Sequence, residues 1–331
     1  MNLVYCSRLE NGHNPSFEYK LEGRAIQQYP ENGSRITFSI NEIQELYVER
    51  IMECKIIPQD LIKHLKNSLD FDYLKWILSV SADCGSKCYL KGKELSFVKD
   101  YITPITMETS EIIIWAGALD IYAVDCFLEK KEDYYVLVRP PGHHAGKSFA
   151  GGFCYLNNVG IAVEYLISSE KKYNRIAILD LDLHFGNGTV EFVKEKEKVK
   201  YYSLHYGTLN CYPFTDSKEY THFKNIELKE LGYATNSITY LKALEKVLQK
   251  IALEMPQVLF ISMGYDTYKQ DPSAAFLLEK DSFREIADLI KRYIKVPIIA
   301  FHEGGYCGED TKECWKAFLA GMKGKRKYDC I

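Results

Sequence analysis

The chain lacks the features that would place it in several large classes. It has no basic excess: 42 Lys and Arg stand against 45 Asp and Glu, a formal net charge of -3. Proteins that hold nucleic acid normally carry a surplus of cations on one face, so that class of partner is not expected. No run of about 18 apolar residues occurs, which argues against a membrane-spanning helix. The ten cysteines form no C-x-x-C pair, and 331 residues is too long for a disulfide scaffold. Reduced thiols in a cytoplasmic setting are the expectation. The opening MNLVYCSRLENGHNP has no basic start followed by an apolar core, so it is not expected to act as a secretory signal. Internal repeats and low-complexity tracts are absent. Histidine is scarce as well, at 8 residues, yet two of them are adjacent in RPPGHHAGKSFAGGF (139–153).

What is present is a sizeable core and an alternating pattern. Hydrophobic residues make up 47% of the chain. Strands are expected at MNLVYC, YYVLVRP (134–140), RIAILDLDLHFG (175–186), VKYYSLHYG (199–207), QVLFISMGYD (257–266) and VPIIAFHEGGY (296–306). Helices are expected over 110–130 with Ser110 as its cap, 156–169, 236–254 capped by Asn236 or Ser237, 280–294 and 311–322. Strand–helix alternation of this kind gives an α/β fold with a parallel sheet and helices on both faces. Such sheets bind ligands at the carboxyl ends of their strands. The unusual polar clusters, RPPGHH, DLDLH, SLH, GYD and HEGGY, all fall there. The whole chain, 1–331, reads as one domain, with 31–104 a loop and helix elaboration near the rim of the site.

LDLDLHFG is the most informative stretch. Period-2 alternation puts Leu179, Leu181 and Leu183 on one face and Asp180, Asp182 and His184 on the other. Carboxylates buried at a sheet mouth need a partner, and a divalent metal meets that need. Asp and His at i and i+2 suit Zn²⁺, and Asp266, at the end of FISMGYD, is the natural third ligand. Fe²⁺ or Co²⁺ would fit the same donors. Beside such a centre, His143 and His144 supply a proton acceptor and a proton donor. Asp180 and Asn187 are available to orient them. Tyr306, after two glycines, can donate to an oxyanion.

Taken together, RPPGHHA, GGFCYLNN, DLDLHFGNGT, SMGYDTYKQDP and EGGY resemble the zinc-dependent deacetylase family, which includes histone deacetylases and acetylpolyamine amidohydrolases. A weaker HNPSFE (13–18) fits as well. The resemblance implies an arginase/deacetylase-like α/β fold with an eight-stranded parallel sheet. It implies Zn²⁺ on Asp182, His184 and Asp266. It makes His144 the main general base and acid, and His143, paired with Asp180, its electrostatic helper. Tyr306 polarises the acyl carbonyl. A structural K⁺ is implied at Asp180 and Ser203 with the backbone carbonyls of Asp182, His184 and Leu204. Gly152, Phe153 and Tyr212 are implied at the acyl channel.

The chain departs from the family at Phe185, where a second His is usual; packing rather than reaction is expected there. Asn187 as partner of His144, EGGY and YDTYKQDP lean toward the polyamine branch. The 85–104 segment is short for that branch's dimer-forming insertion, which leaves a homo-oligomer open. Gly186 and Gly264 stand where arginases need extra carboxylates, which leaves one metal. The expected substrate is an acetylated polyamine or similar small amine, with Glu18, Glu94, Asp100 and Glu108 as candidate rim acids. Acetyl-lysine on proteins is the alternative substrate, and a non-catalytic acyl-amine binder is the third reading.

Overall fold

The computed structural model describes residues 1–15, 19–21, 24–26, 29–37, 48–79, 96–273 and 275–324. Ten strands form among the described residues: β1 (Asn2–Tyr5), β2 (Tyr19–Leu21), β3 (Arg24–Ile26), β4 (Ile51–Glu53), β5 (Tyr134–Leu137), β6 (Ile176–Asp180), β7 (Val199–Tyr206), β8 (Ile226–Leu231), β9 (Val258–Met263) and β10 (Ile298–His302). β2 and β3 make a small antiparallel pair; the other eight build one sheet in the order β4-β1-β5-β10-β9-β6-β7-β8. Every pairing in that sheet is parallel. All the strand carboxyl ends therefore open on one edge. The central strands β5, β6, β9 and β10 are buried at every position, so both faces are covered.

The principal helices are α1 (Arg8–Asn11), α2 (Leu61–Ser68), α3 (Phe71–Ser79), α4 (Thr109–Lys130), α5 (Asn158–Ser168), α6 (Asn187–Val193), α7 (Ser237–Leu253), α8 (Lys280–Tyr293) and α9 (Glu309–Met322). α2 to α5 pack on one another, and α7 and α9 both pack on α8. Their start signals are local. Asn157 accepts the Gly160 N–H at 2.7 Å to cap α5, and Asn236 accepts the Thr239 N–H at 3.0 Å to cap α7. α4 starts one residue before the expected cap. Thr109 opens it and its Oγ1 accepts the Thr106 N–H at 2.7 Å, so Ser110 lies inside the helix. No helix among the described residues is long and apolar enough to cross a membrane.

The small β2–β3 pair was not anticipated, nor were two strands of the main sheet, β4 and β8, which are its edges. They carry half-buried and charged positions, so the apolar run that marks an interior strand is missing. β4 lies within 31–104, which thus contributes an edge of the main sheet as well as loops.

Candidate metal centre and active site

β6 ends at Asp180, six residues before the expected limit, so the alternation argument for 180–184 does not hold. The side chains converge by another route. Asp180 Oδ1 accepts the Asp182 N–H at 3.2 Å, and Asp182 Oδ1 accepts the His184 N–H at 2.9 Å. Two successive side-chain turns curl the chain after the strand. Leu181 and Leu183 remain fully buried, and the Leu183 N–H donates to Asp266 Oδ1 at 3.0 Å.

Ligand atoms of Asp182, His184 and Asp266 all lie within 4.8 Å of one another. His184 Nδ1 stands 3.2 Å from Asp182 Oδ1 and 2.9 Å from Asp266 Oδ2. Two glycines make the room. A Cβ on Gly264 would lie 2.3 Å from Asp182 Oδ2, and one on Gly304 would lie 2.6 Å from both Asp182 Oδ2 and Asp266 Oδ2. The Gly304 N–H also donates to Asp182 Oδ2 at 2.8 Å. Burial, then the charge of Asp182, pushes Asp266 up to about 7. Burial opposes the charged form of His184, but hydrogen bonds to Asp182 and Asp266 hold it well above the ordinary imidazole range. Two carboxylates and one imidazole withdrawn from water in this way fit a divalent cation, which satisfies all three at once.

The tandem histidines have different partners. His143 Nδ1 lies 3.3 Å from Asp180 Oδ2, and its Nε2 lies 3.5 Å from Asp182 Oδ1. Burial disfavours its charge, but Asp182 and Asp180 outweigh that and lift it to about 10. His144 Nδ1 lies 2.8 Å from Asn187 Oδ1. An amide oxygen only accepts, so Nδ1 carries the hydrogen and Nε2 keeps a lone pair. Burial, then the charges of His143 and His184, push His144 well below the usual value. The two rings are 4.0 Å apart, and the His144 ring is 5.7 Å from that of His184. One imidazole biased toward its charged form beside another biased toward its neutral form is a division of labour suited to acid–base chemistry.

Tyr306 follows β10 and the Gly304–Gly305 turn. Its N–H donates to the buried Asp271 Oδ2 at 2.6 Å, and the Arg35 guanidinium lies 4.7 Å over its ring. Burial raises its phenol well above the ordinary range, although Arg35 pulls the other way, so it stays a hydrogen-bond donor. Phe153 stands edge-on to Tyr306 and to Tyr29, each at 5.4 Å, and Tyr212 stands edge-on to His144 at 4.6 Å. Gly152 has φ +54°, and a Cβ there would lie 2.4 Å from His144 Cδ2. The wall is pinned from the 96–104 segment. Asp100 Oδ2 accepts the Gly152 N–H at 2.7 Å, and Thr103 Oγ1 accepts the Phe153 N–H at 3.0 Å.

Ser203 is the register partner of Asp180, so these two expected cation ligands sit side by side. Ser203 Oγ meets His205 Nδ1 at 2.9 Å, and the Tyr201 hydroxyl donates to Asp180 Oδ2 at 2.7 Å. Leu204 follows Ser203 on β7 and is fully buried. Phe185 is buried against His205 and Tyr220, at 5.1 and 5.5 Å between rings. Of the rim acids, Glu18 and Glu94 lie outside the described residues, as does much of 85–104 and the end of HNPSFE. Asp100 is engaged by the Gly152 and Ile102 N–H groups. Glu108 lines a surface hollow beside Glu10, Glu111 and Trp115.

Sequence reasoning missed a buried ion cluster behind the site. Arg139 donates to both oxygens of Glu31, at 2.9 and 2.8 Å, and Arg35 lies 3.4 Å from Glu31. Arg35 Nε also donates to the Gly305 carbonyl at 2.9 Å. Glu31 and Arg35 come from PENGSR, a stretch with no periodicity; two opposite charges four apart amid turn-formers were its only signal.

Comparison with known proteins places the chain in a family. The histone deacetylase domain family matches residues 29–322. The chain is 30% identical over 226 residues to an acetylpolyamine amidohydrolase of Burkholderia pseudomallei, covering 66% of this chain and 64% of that protein. It thus spans a little under two thirds of that relative's length. It is 32% identical over 320 residues to histone deacetylase 6 of Caenorhabditis elegans, covering 92% of this chain and 32% of that one. Among solved structures, an acetylpolyamine aminohydrolase from Burkholderia pseudomallei superposes with a TM-score of 0.84 at 24% identity, covering 97% of this chain and 98% of that chain. On the family match across most of its length, the chain belongs to the histone deacetylase family.

Proposed function

We propose that this protein hydrolyses the amide bond of small acetylated amines, acetylated polyamines above all. The observation that carries the reading is the pairing of a neutral, Asn187-oriented His144 with the Asp182, His184 and Asp266 cluster beside it. Zn²⁺ on those three side chains would supply Lewis acidity toward the acyl oxygen and would acidify water. The chain's own residues do the rest. His144 Nε2 takes a proton from the attacking water and returns it to the departing amine. His143, held charged by Asp182 and Asp180, stabilises negative charge as it develops. Tyr306 donates its phenolic hydrogen to the acyl oxygen. Gly152, Phe153 and Tyr212 admit a flat, narrow acyl group. Asp180 and Ser203, with the backbone carbonyls of Asp182, His184 and Leu204, would hold a K⁺ that stiffens the metal loop.

The polyamine substrate is supported by similarity to acetylpolyamine amidohydrolases and by the Asn187 partner. Acetyl-lysine on a protein is the second reading, favoured by the longer match to histone deacetylase 6. Steady-state kinetics of the zinc-loaded protein on N-acetylputrescine and an acetyl-lysine peptide separate the two. A higher kcat/KM for the polyamine supports the first, and a preference for the peptide replaces it with the second. Stoichiometric zinc and tight binding of both without turnover would leave only a binding role.

A further inference from the structure

Glu303 opens the EGGY turn directly after β10 and is fully buried. Its Oε2 accepts the N–H of Gly142 at 2.6 Å and the N–H of His143 at 3.2 Å. These amides belong to the turn that aims the two imidazoles. The main chain of the same residue serves the opposite loop. Its carbonyl accepts a hydrogen bond from Arg35, which also donates to Gly305 and covers the Tyr306 ring. One residue thus grips the histidine turn with its side chain and, through Arg35, the tyrosine loop with its backbone.

A carboxylate in this place is costly. Glu303 Oε1 has no hydrogen-bond partner among the described residues. Asp120, on the buried side of α4, has none for either oxygen and lies close enough to feel the charge of Glu303. Three carboxyl oxygens withdrawn from water without partners work against stability. A purely structural position would be filled more favourably by an apolar side chain. The gain that offsets this cost is the pair of hydrogen bonds to the turn.

We propose that Glu303 is a positioning residue for the hydrolysis inferred above: it fixes the His143–His144 turn relative to the loop bearing Tyr306. The inference rests on that functional reading for its effect on turnover, but not for its effect on the turn. The test compares the full-length, zinc-loaded protein with Glu303→Gln, Glu303→Leu and Glu303→Asp. Gln keeps an acceptor oxygen at the same reach; Leu removes it; Asp withdraws it by one methylene.

Two quantities are read: amide hydrogen exchange at residues 142 and 143, and kcat and KM on N-acetylputrescine. In the Leu variant those amides should exchange at least about tenfold faster than in the parent. Its kcat should fall by about 10²-fold with KM within about threefold, because geometry and not binding is lost. The Gln variant should keep both near the parental values. If the Leu variant does not fold, the Asp variant is read in its place with the same expectation. Unchanged protection at 142 and 143 in a folded Leu or Asp variant overturns the proposal, and so does equal loss of kcat in the Gln and Leu variants. If the parent turns over no acetylated amine with zinc bound, the functional reading fails by itself, and the exchange data still decide whether Glu303 fixes the turn.

Discussion

Asp182, His184 and Asp266 were legible as a set from residue types and strand-end positions, although the alternation invoked to align them was wrong. The strand stops at Asp180, and side-chain-to-backbone turns at Asp180 and Asp182 align the groups instead. Aspartate suits this place because its carboxylate oxygens can accept the backbone N–H groups that make the turns, as Asp182 Oδ1 does for His184, and still face the cluster. Two predictions belong at this scale. Replacing Asp266 with Ala should abolish zinc retention, since two protein donors are left where a catalytic zinc site has three; elemental analysis of the purified variant checks this, and one zinc per chain would remove Asp266 from the ligand set. Replacing Tyr306 with Phe should lower kcat by about 10²–10³-fold by deleting one oxyanion donor, with zinc content unchanged. A phenyl variant as fast as the parent would take Tyr306 out of the mechanism.

At the scale of elements, the interior strands announced themselves as apolar runs, and the helix over 236–254 through its cap at Asn236. The edge strands β4 and β8 did not, because half-buried and charged positions break up any apolar run. The segment 29–37 was still less legible. Glu31 matters through Arg139 at the end of β5 and through Arg35 beneath Tyr306, contacts more than 100 residues away for the first and invisible to any local pattern. Both Arg139 and Glu31 are fully buried, so Glu31→Leu strands two guanidinium charges. Urea denaturation should show a loss of about 3–5 kcal/mol for that variant. A change below about 1 kcal/mol would mean that the arginines find other partners. Gly264, at the end of β9, is constrained by space alone. An added methyl would meet the Asp182 carboxylate at 2.3 Å, so Gly264→Ala should lower zinc affinity while leaving the fold intact by circular dichroism.

For the molecule as a whole, eight parallel strands gather loops from both halves of the sheet at one edge, and that gathering is what brings residues 31, 143, 184, 266 and 306 together. The resemblance anticipated the sheet size; the residues alone marked six strands. The proposed metal site would link metal binding to protonation and to stability. His184 is held above its usual pKa by Asp182 and Asp266, and Asp266 is pushed up to about 7. A raised pKa means a proton held more tightly, and a metal entering the proposed site would have to displace it. Zinc affinity, and the rise in Tm that zinc produces, should therefore grow as pH increases from 5 to 8 and fade on acidification. Thermal unfolding at several pH values with and without zinc checks the sign; a zinc-induced rise in Tm that is flat across that range would contradict it.

The most direct test of the account is the rate of acetate release from N-acetylputrescine, N-acetylspermidine and an acetyl-lysine peptide, before chelation, after it, and after return of one equivalent of zinc. Turnover that chelation abolishes and zinc restores is expected, with the polyamines preferred. Full zinc occupancy without hydrolysis of any of the three, or hydrolysis indifferent to chelation, would contradict it.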